Sequence, residues 1–244
     1  MTTFKERISG SSKRHGSRVV LALDFGGPYD ARLRKAMGVL EAVGGEVAAV
    51  KVNSHLLLPY GLQGIRQVIE GCRAQGLPLI ADLKMNDIEA TNLNAVDSLM
   101  DFGFDGVIAN PFVGKDEGLG RAMERVHSRG GGMILLVYMS HAGAAEGYSL
   151  KVEDGTPLFR VFAERARDWG ADGVVVSAKD PDKVAETRRV VGEGCLIFTP
   201  GVGAQGGDSL APVRAGADFV IVGRSVTEAQ DPAKAVRALN GNRG

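Results

Sequence analysis

The sequence predicts a single (β/α)8 barrel, and three observations lead there. The chain has 244 residues, close to the ~250 typical of one such barrel. Eight short, nearly continuous apolar runs recur at residues 19–24, 47–52, 79–83, 106–109, 133–138, 173–176, 196–199 and 219–222. Parallel strands covered on both faces read in this way. Between the runs lie stretches of helical period, such as 31–43, 64–73 and 157–169. Strands alternating with helices close naturally through right-handed crossovers.

The runs can be phased by a local repeat. Gly103-Phe104-Asp105, Gly170-Ala171-Asp172 and Gly216-Ala217-Asp218 each stand just before a run. Glycine suits the left-handed position that ends a helix, and an aspartate can bond the turn backbone before the strand begins. These residues therefore read as structural and mark strands four, six and eight. The widest gap, at 140–155, follows strand five and is long enough to be a functional loop. Residues 1–17 carry Lys5, Arg7, Lys13 and Arg14 with no apolar signal core behind them. They read as a basic tail or a short helix over the barrel bottom, and residues 18–244 as the catalytic domain.

Composition narrows the function. Hydrophobic residues make up 44% and charged residues 24%, enough to bury a large core and too ordered a mixture for a disordered chain. Lys plus Arg and Asp plus Glu each number 29, which argues against nucleic acid as the main partner. Cys72 and Cys195 fit no metal spacing and read as reduced thiols of a cytoplasmic protein. No apolar stretch approaches a membrane span. The expectation is a soluble cytoplasmic enzyme.

Active sites of this architecture lie at the C-terminal ends of the strands. Those ends present Asp24, Lys51, Asp82 with Lys84, Asn110, Ser140 with His141, Lys179, Pro200 and Arg224. Charges that end apolar strands are costly unless paired or used. Asp82 and Lys84 stand two apart, so a regular strand points both into the barrel mouth. Lys51, ending strand two, should lie beside Asp82, and Asp87 falls near the start of the next helix. Such a cluster can hold a protonated lysine as a general acid. The plainer readings are a rim ion pair for Asp82–Lys84 and a helix N-cap for Asp87.

The loops after strands seven and eight suggest a phosphate site. One carries Pro200, Gly201, Gly203, Gln205, Gly206 and Gly207, and the other Gly223 and Arg224. Glycine admits backbone N–H groups close to a phosphate, and an arginine can bind two of its oxygens. His55 and His141 do not make a divalent-metal site between them. Ser140 has no evident base to make it a nucleophile, and a role reading a polar substrate edge suits it better.

These motifs together resemble the orotidine 5′-monophosphate decarboxylase family, particularly its compact microbial form. The resemblance runs from about Val19 to Ala235. It rests on Leu21-Ala22-Leu23-Asp24, Val50-Lys51-Val52, Asp82-x-Lys84-x-x-Asp87-Ile88-x-x-Thr91 and Met139-Ser140-His141-Ala142-Gly143. It continues through Pro200-Gly201-Val202-Gly203-Ala204-Gln205-Gly206-Gly207 and Gly223-Arg224-Ser225.

The resemblance implies decarboxylation of orotidine 5′-monophosphate to uridine 5′-monophosphate in pyrimidine biosynthesis, with no metal and no organic cofactor. By it, Lys84 protonates C6 and Asp82 sits beside the departing carboxylate. Asp24 and Lys51 hold ribose hydroxyls, and Ser140 the pyrimidine edge. Gln205 meets base and phosphate, and Arg224 the phosphate. Asp87 and Thr91 complete the neighbouring site of a homodimer. The family's histidine-proline-glycine turn reads His141-Ala142-Gly143 here, and the loop beyond it diverges.

Two rival readings remain. Sister enzymes with the same Asp-x-Lys-x-x-Asp, 3-keto-L-gulonate 6-phosphate decarboxylase and hexulose 6-phosphate synthase, use Mg²⁺ and carry a carboxylate where Lys51 stands. A cation there should repel the metal. A non-catalytic phosphate-binding barrel would not need so many charges gathered in one pocket.

Overall fold

The computed structural model describes residues 2–201 and 211–241. Each apolar run holds a strand: β1 Val19–Ala22, β2 Ala49–Asn53, β3 Leu79–Met85, β4 Gly106–Ala109, β5 Gly132–Tyr138, β6 Gly173–Val176, β7 Leu196–Pro200 and β8 Phe219–Val222. All neighbours are parallel, and β8 returns to pair with β1, so the sheet closes in sequence order. The helices are α1 Phe4–His15, α2 Tyr29–Val43, α3 Ser54–Gly64, α4 Arg66–Ala74, α5 Glu89–Phe102 and α6 Gly120–Ser128. They continue with α7 Ala144–Tyr148, α8 Leu158–Trp169, α9 Pro181–Val191, α10 Ala211–Arg214, α11 Arg224–Thr227 and α12 Pro232–Gly241.

Strand alternation divides the core in two. Val20, Ala22, Ala49, Ile80, Ile108, Ile134, Leu136, Val175, Phe198, Phe219 and Ile221 pack together in the interior of the barrel. Their neighbours of the opposite phase, including Leu21, Val50, Leu79, Val107, Leu135 and Val174, pack outward under the helices. A β-strand shows side chains to opposite faces in turn, which is why both phases of each run must be apolar.

The lower end of the barrel is filled from outside the strand set. Helix α1 begins with a capping box, in which Glu6 N–H donates to Thr3 Oγ1 and Thr3 N–H to Glu6 Oε2. Its Phe4 and Ile8 are fully buried and join the interior cluster. A Cβ at Gly132 would stand 2.3 Å from the Phe4 ring, and one at Gly106 2.9 Å from it. Glycine at the start of β4 and β5 thus makes room for the ring. Arg7 of α1 adds an ion pair to Asp105 at 2.9 Å.

The Gly-x-Asp repeat serves the sheet in a way the turn-bonding expectation did not include. The three glycines have φ of 98°, 75° and 109°, the left-handed region that glycine enters without strain. The aspartates reach sideways instead of into their own turns. Asp105 accepts from Leu79 N–H, Asp172 from Met133 N–H and Asp218 from Ile197 N–H, at 2.9, 2.9 and 2.7 Å. Each therefore ties the strand it precedes to the one before it. Asp172 also meets His127 Nε2 at 2.8 Å, a contact that raises the histidine pKa.

Candidate active site

At the opposite end, β1, β2 and β3 deliver four charges in a row. Asp24 lies two residues beyond β1, where Leu23 N–H still bonds Lys51 O at 2.9 Å. Lys51 Nζ stands 3.2 and 3.3 Å from the two Asp24 carboxylate oxygens and 2.9 Å from Asp82 Oδ2. Asp82 Oδ1 in turn accepts from Lys84 Nζ at 2.8 Å. The sequence Asp24–Lys51–Asp82–Lys84 is thus a continuous chain of alternating sign. Exposure rises outward from its centre: the Lys51 side chain is 4% exposed, Asp82 9%, Asp24 29% and Lys84 36%.

Burial and charge oppose each other here, and charge wins. Burial would lower the Lys51 pKa, but the charges and hydrogen bonds of Asp82 and Asp24 raise it above its ordinary value. Burial would likewise raise that of Asp82, and Lys51 and Lys84 bring it below the usual aspartate range. Both groups are held in their ionised forms.

Two local expectations are corrected. Lys51 does not end its strand: it is the third residue of β2, paired in register with Ile80, while Asn53 is the residue opposite Asp82. The length of the lysine side chain, not lateral placement, brings its ammonium to Asp82. Nor is β3 regular across Asp82–Lys84. The register with β4 shifts between Asp82 and Met85, and Lys84 has φ of 48°. A non-glycine residue held there costs on the order of 1–3 kcal/mol, and such outliers gather at functional sites. Lys84 meets Asp82 through this bulge, with Leu83 left 38% exposed.

A cavity of about 190 Å³ opens over the charges. Asp24, Lys51, Asn53, Asp82, Lys84, Ser140 and Pro200 contribute to its wall, and Ile108, Leu136, Val175 and Ile221 form an apolar floor. Asn53 escaped the sequence reading, although its position two after Lys51 puts it on the same face. Asp87 and Thr91 do not join the cavity and are exposed. Asp87 is not the N-cap of α5: that position is Ile88, and the Asp87 carboxylate accepts from Ile88 N–H at 2.7 Å.

Pro200 ends β7 and Gly201 follows with φ of 101°, while Gly203 and Gln205 lie outside the described residues. Gly223 follows β8, with Arg224 exposed behind it. Among the described residues a Cβ at Gly223 would meet only Ala22, at 3.8 Å. His55 and His141 are both exposed. Among the described residues no three His, Cys, Asp or Glu gather as a metal site would need.

The sequence profile of the orotidine 5′-phosphate decarboxylase / HUMPS family matches residues 17–239. The orotidine 5′-phosphate decarboxylase of Pyrococcus abyssi is 39% identical over 221 residues, which cover 91% of this chain and 96% of that one. The chain belongs to this family. Among solved structures, orotidine 5′-monophosphate decarboxylase from Methanocaldococcus jannaschii complexed with the inhibitor BMP is similar with a TM-score of 0.74. Its identity is 28%, and the match covers 92% of this chain and 97% of that one. The UMP synthase of Leishmania donovani is similar with a TM-score of 0.87 at 26% identity. That protein is longer: the match covers 99% of this chain and 56% of that one. Membership fits the barrel and its Asp-x-Lys-x-x-Asp segment.

The paired charges make a pH prediction. Asp82 is depressed below its ordinary value near 3.8. Its stabilising contribution is therefore complete above that pH and is lost as pH falls through the lower folded value. Asp82→Asn should cost about 3–5 kcal/mol at pH 7, as for removing one partner of a buried pair. The deficit should shrink below pH 4. Urea unfolding of both proteins at pH 7 and pH 3 measures it, and a deficit equal at both pH values would contradict the assignment.

Proposed function

We propose that this chain decarboxylates orotidine 5′-monophosphate to uridine 5′-monophosphate and CO2, with Lys84 as the proton donor. The observation that carries the reading is the Asp24–Lys51–Asp82–Lys84 chain on the wall of a cavity with an apolar floor. At about 190 Å³ the cavity is smaller than the ~300–1,000 Å³ usual for whole ligands. It suits the reacting pyrimidine ring, with the ribose phosphate extending toward the ends of β7 and β8.

The chemistry follows from the charges. The bond between C6 and the carboxylate carbon breaks, CO2 leaves, and the electron pair stays on C6 in the ring plane. The ring's π system cannot delocalise that pair, so stabilisation has to be electrostatic. The Lys84 ammonium supplies it and then passes its proton to C6, and water later restores the proton. Asp82 lies beside the departing carboxylate. Two carboxylates about 4 Å apart repel by roughly 4 kcal/mol at an effective dielectric near 20, and departure of CO2 relieves that repulsion. Asp24 and Lys51 hold ribose hydroxyls, and Ser140 reads the pyrimidine edge. Pro200, Gly203, Gln205, Gly223 and Arg224 enclose base and phosphate. Binding energy from the remote phosphate then serves the reacting centre.

The reading includes a cytoplasmic enzyme without metal or organic cofactor, and with neither nucleic acid nor membrane as partner. Among the described residues no helix is long and apolar enough to cross a membrane. It also includes a homodimer in which Asp87 and Thr91 complete the neighbouring site. Both face solvent in the single chain, as does Ile88 between them at 64% exposure, so all three are open to a partner subunit. The sister-enzyme reading conflicts with Lys51, since an ammonium buried between two carboxylates already occupies the place of a cation.

Purified protein should consume orotidine 5′-monophosphate, followed by its absorbance, at an unchanged rate after exhaustive EDTA treatment. Activity lost on chelation and restored by Mg²⁺ would move the chain to the sister reaction.

The shared site has its own test. Lys84→Ala and Asp87→Ala chains, each inactive alone, should regain activity when mixed under exchange conditions. A hybrid dimer then has one site with both residues intact, giving up to one working site in two. Hybrids that form and stay inactive would show that each barrel relies on its own Asp87.

A further inference from the structure

A second, larger cavity of about 590 Å³ lies at the N-terminal end of the strands, against α1, α4 and α5. Arg7, Arg14, Arg73 and Arg129 line it, and Asp105 is the single carboxylate among its described lining residues. Two of the arginines are already committed. Arg7 pairs with Asp105 at 2.9 Å and donates to Gly130 O at 2.9 Å. Arg129 pairs with Asp101 at 2.6 Å.

Arg14 and Arg73 differ. Neither forms a hydrogen bond or an ion pair within 4 Å among the described residues, although Arg73 acts on Asp105 at longer range. Their guanidinium groups instead lie on glycine backbone. A Cβ at Gly76 would be 2.4 Å from Arg14 Nη1, and one at Gly103 2.4 Å from Arg73 Nη2. With Arg7 paired to Asp105 and Arg129 to Asp101, Arg14 and Arg73 are the two cavity cations without an ion-pair partner within 4 Å among the described residues. One is on α1 and one on α4. Beneath them Ile69, Leu77, Leu79 and Phe104 make a tightly packed apolar floor.

We propose that this cavity is an accessory binding site for an organic polyphosphate, gripped by Arg14 and Arg73 through its phosphoryl oxygens. Planar guanidinium groups match phosphoryl oxygens two at a time. The volume falls within the ~300–1,000 Å³ of small-molecule sites and exceeds what a bare phosphate group needs, so an organic body is part of the ligand. Because the arginines come from different helices, the ligand bridges α1 to α4 and stabilises the helix whose Phe4 fills the barrel bottom. The site stands at the far end of the barrel from Lys84.

ATP serves as the probe and pyrophosphate as its counterpart without an organic body. Arg224→Ala protein is used for titration calorimetry, so that the proposed phosphate contact at the other end does not obscure the result. ATP should bind once per chain, more tightly than pyrophosphate, and raise the melting temperature. Arg14→Ala with Arg73→Ala in that background should weaken ATP at least about tenfold, since each loses charge-assisted hydrogen bonds. Both residues are exposed, so the same pair in the otherwise native chain should keep its fold by circular dichroism and its decarboxylase rate. Absence of ATP binding, or binding unchanged by the double substitution, would overturn the site. Equal affinity for ATP and pyrophosphate would overturn the organic ligand.

Discussion

An ammonium group inside a barrel sets the terms for everything above it. Lys51 projects from the middle of β2 into an interior otherwise built of Ala, Val, Ile, Leu and Phe. A lone charge in that position would be lost to neutralisation. Asp24 and Asp82 prevent this from either side, and they can do so because closure in sequence order makes β1 and β3 the two neighbours of β2. Asp82 then has a second oxygen to spare, and the backbone of β3 turns left-handed at Lys84 to meet it. The proposed proton donor is therefore oriented before substrate arrives, which is what electrostatic catalysis needs.

The remainder of the barrel supports that arrangement by being apolar and buried. Ile108, Leu136, Val175 and Ile221 close the floor under the charges, keeping the local dielectric low and each ion pair strong. Lower down, Phe198 and Phe219 stack at 5.2 Å and Phe4 of α1 completes the layer. Asp105, Asp172 and Asp218 tie strands together in pairs at the same end. Polar residues at the two ends thus differ in what they touch: the lower aspartates bind neighbouring strands, and the upper charges line the cavity.

Much of this was legible in the sequence. Apolar runs of strand length, separated by helical periods, gave all eight strands, since burial on both faces leaves a continuous signal. Reading the strand ends brought Asp24, Lys51 and Asp82 to the mouth of the barrel, with Lys51 beside Asp82. What escaped were departures from regular geometry. No pattern announces that Lys84 is left-handed, because it is tertiary ion pairing and not propensity that holds it there. Lys51 was placed at the end of its strand because polarity usually marks an end, whereas here two carboxylates let a charge sit mid-strand. The burial of the Phe4 ring depends on space left by Gly106 and Gly132, more than a hundred residues away. Asp87 could be placed near a helix start, but its exposure depends on where α5 turns away from the cavity.

In the proposed reaction the charge chain serves to present the Lys84 ammonium to C6. The direct measurement is kcat/KM for orotidine 5′-monophosphate in Lys84→Ala, alongside its melting temperature. Lys84 is the outermost and most exposed member of the chain, so the Asp24–Lys51–Asp82 core should survive its removal and the fold should persist. Loss of the proton donor together with its electrostatic stabilisation should lower kcat/KM by at least about a thousandfold. A folded Lys84→Ala enzyme within tenfold of the parent would contradict the account.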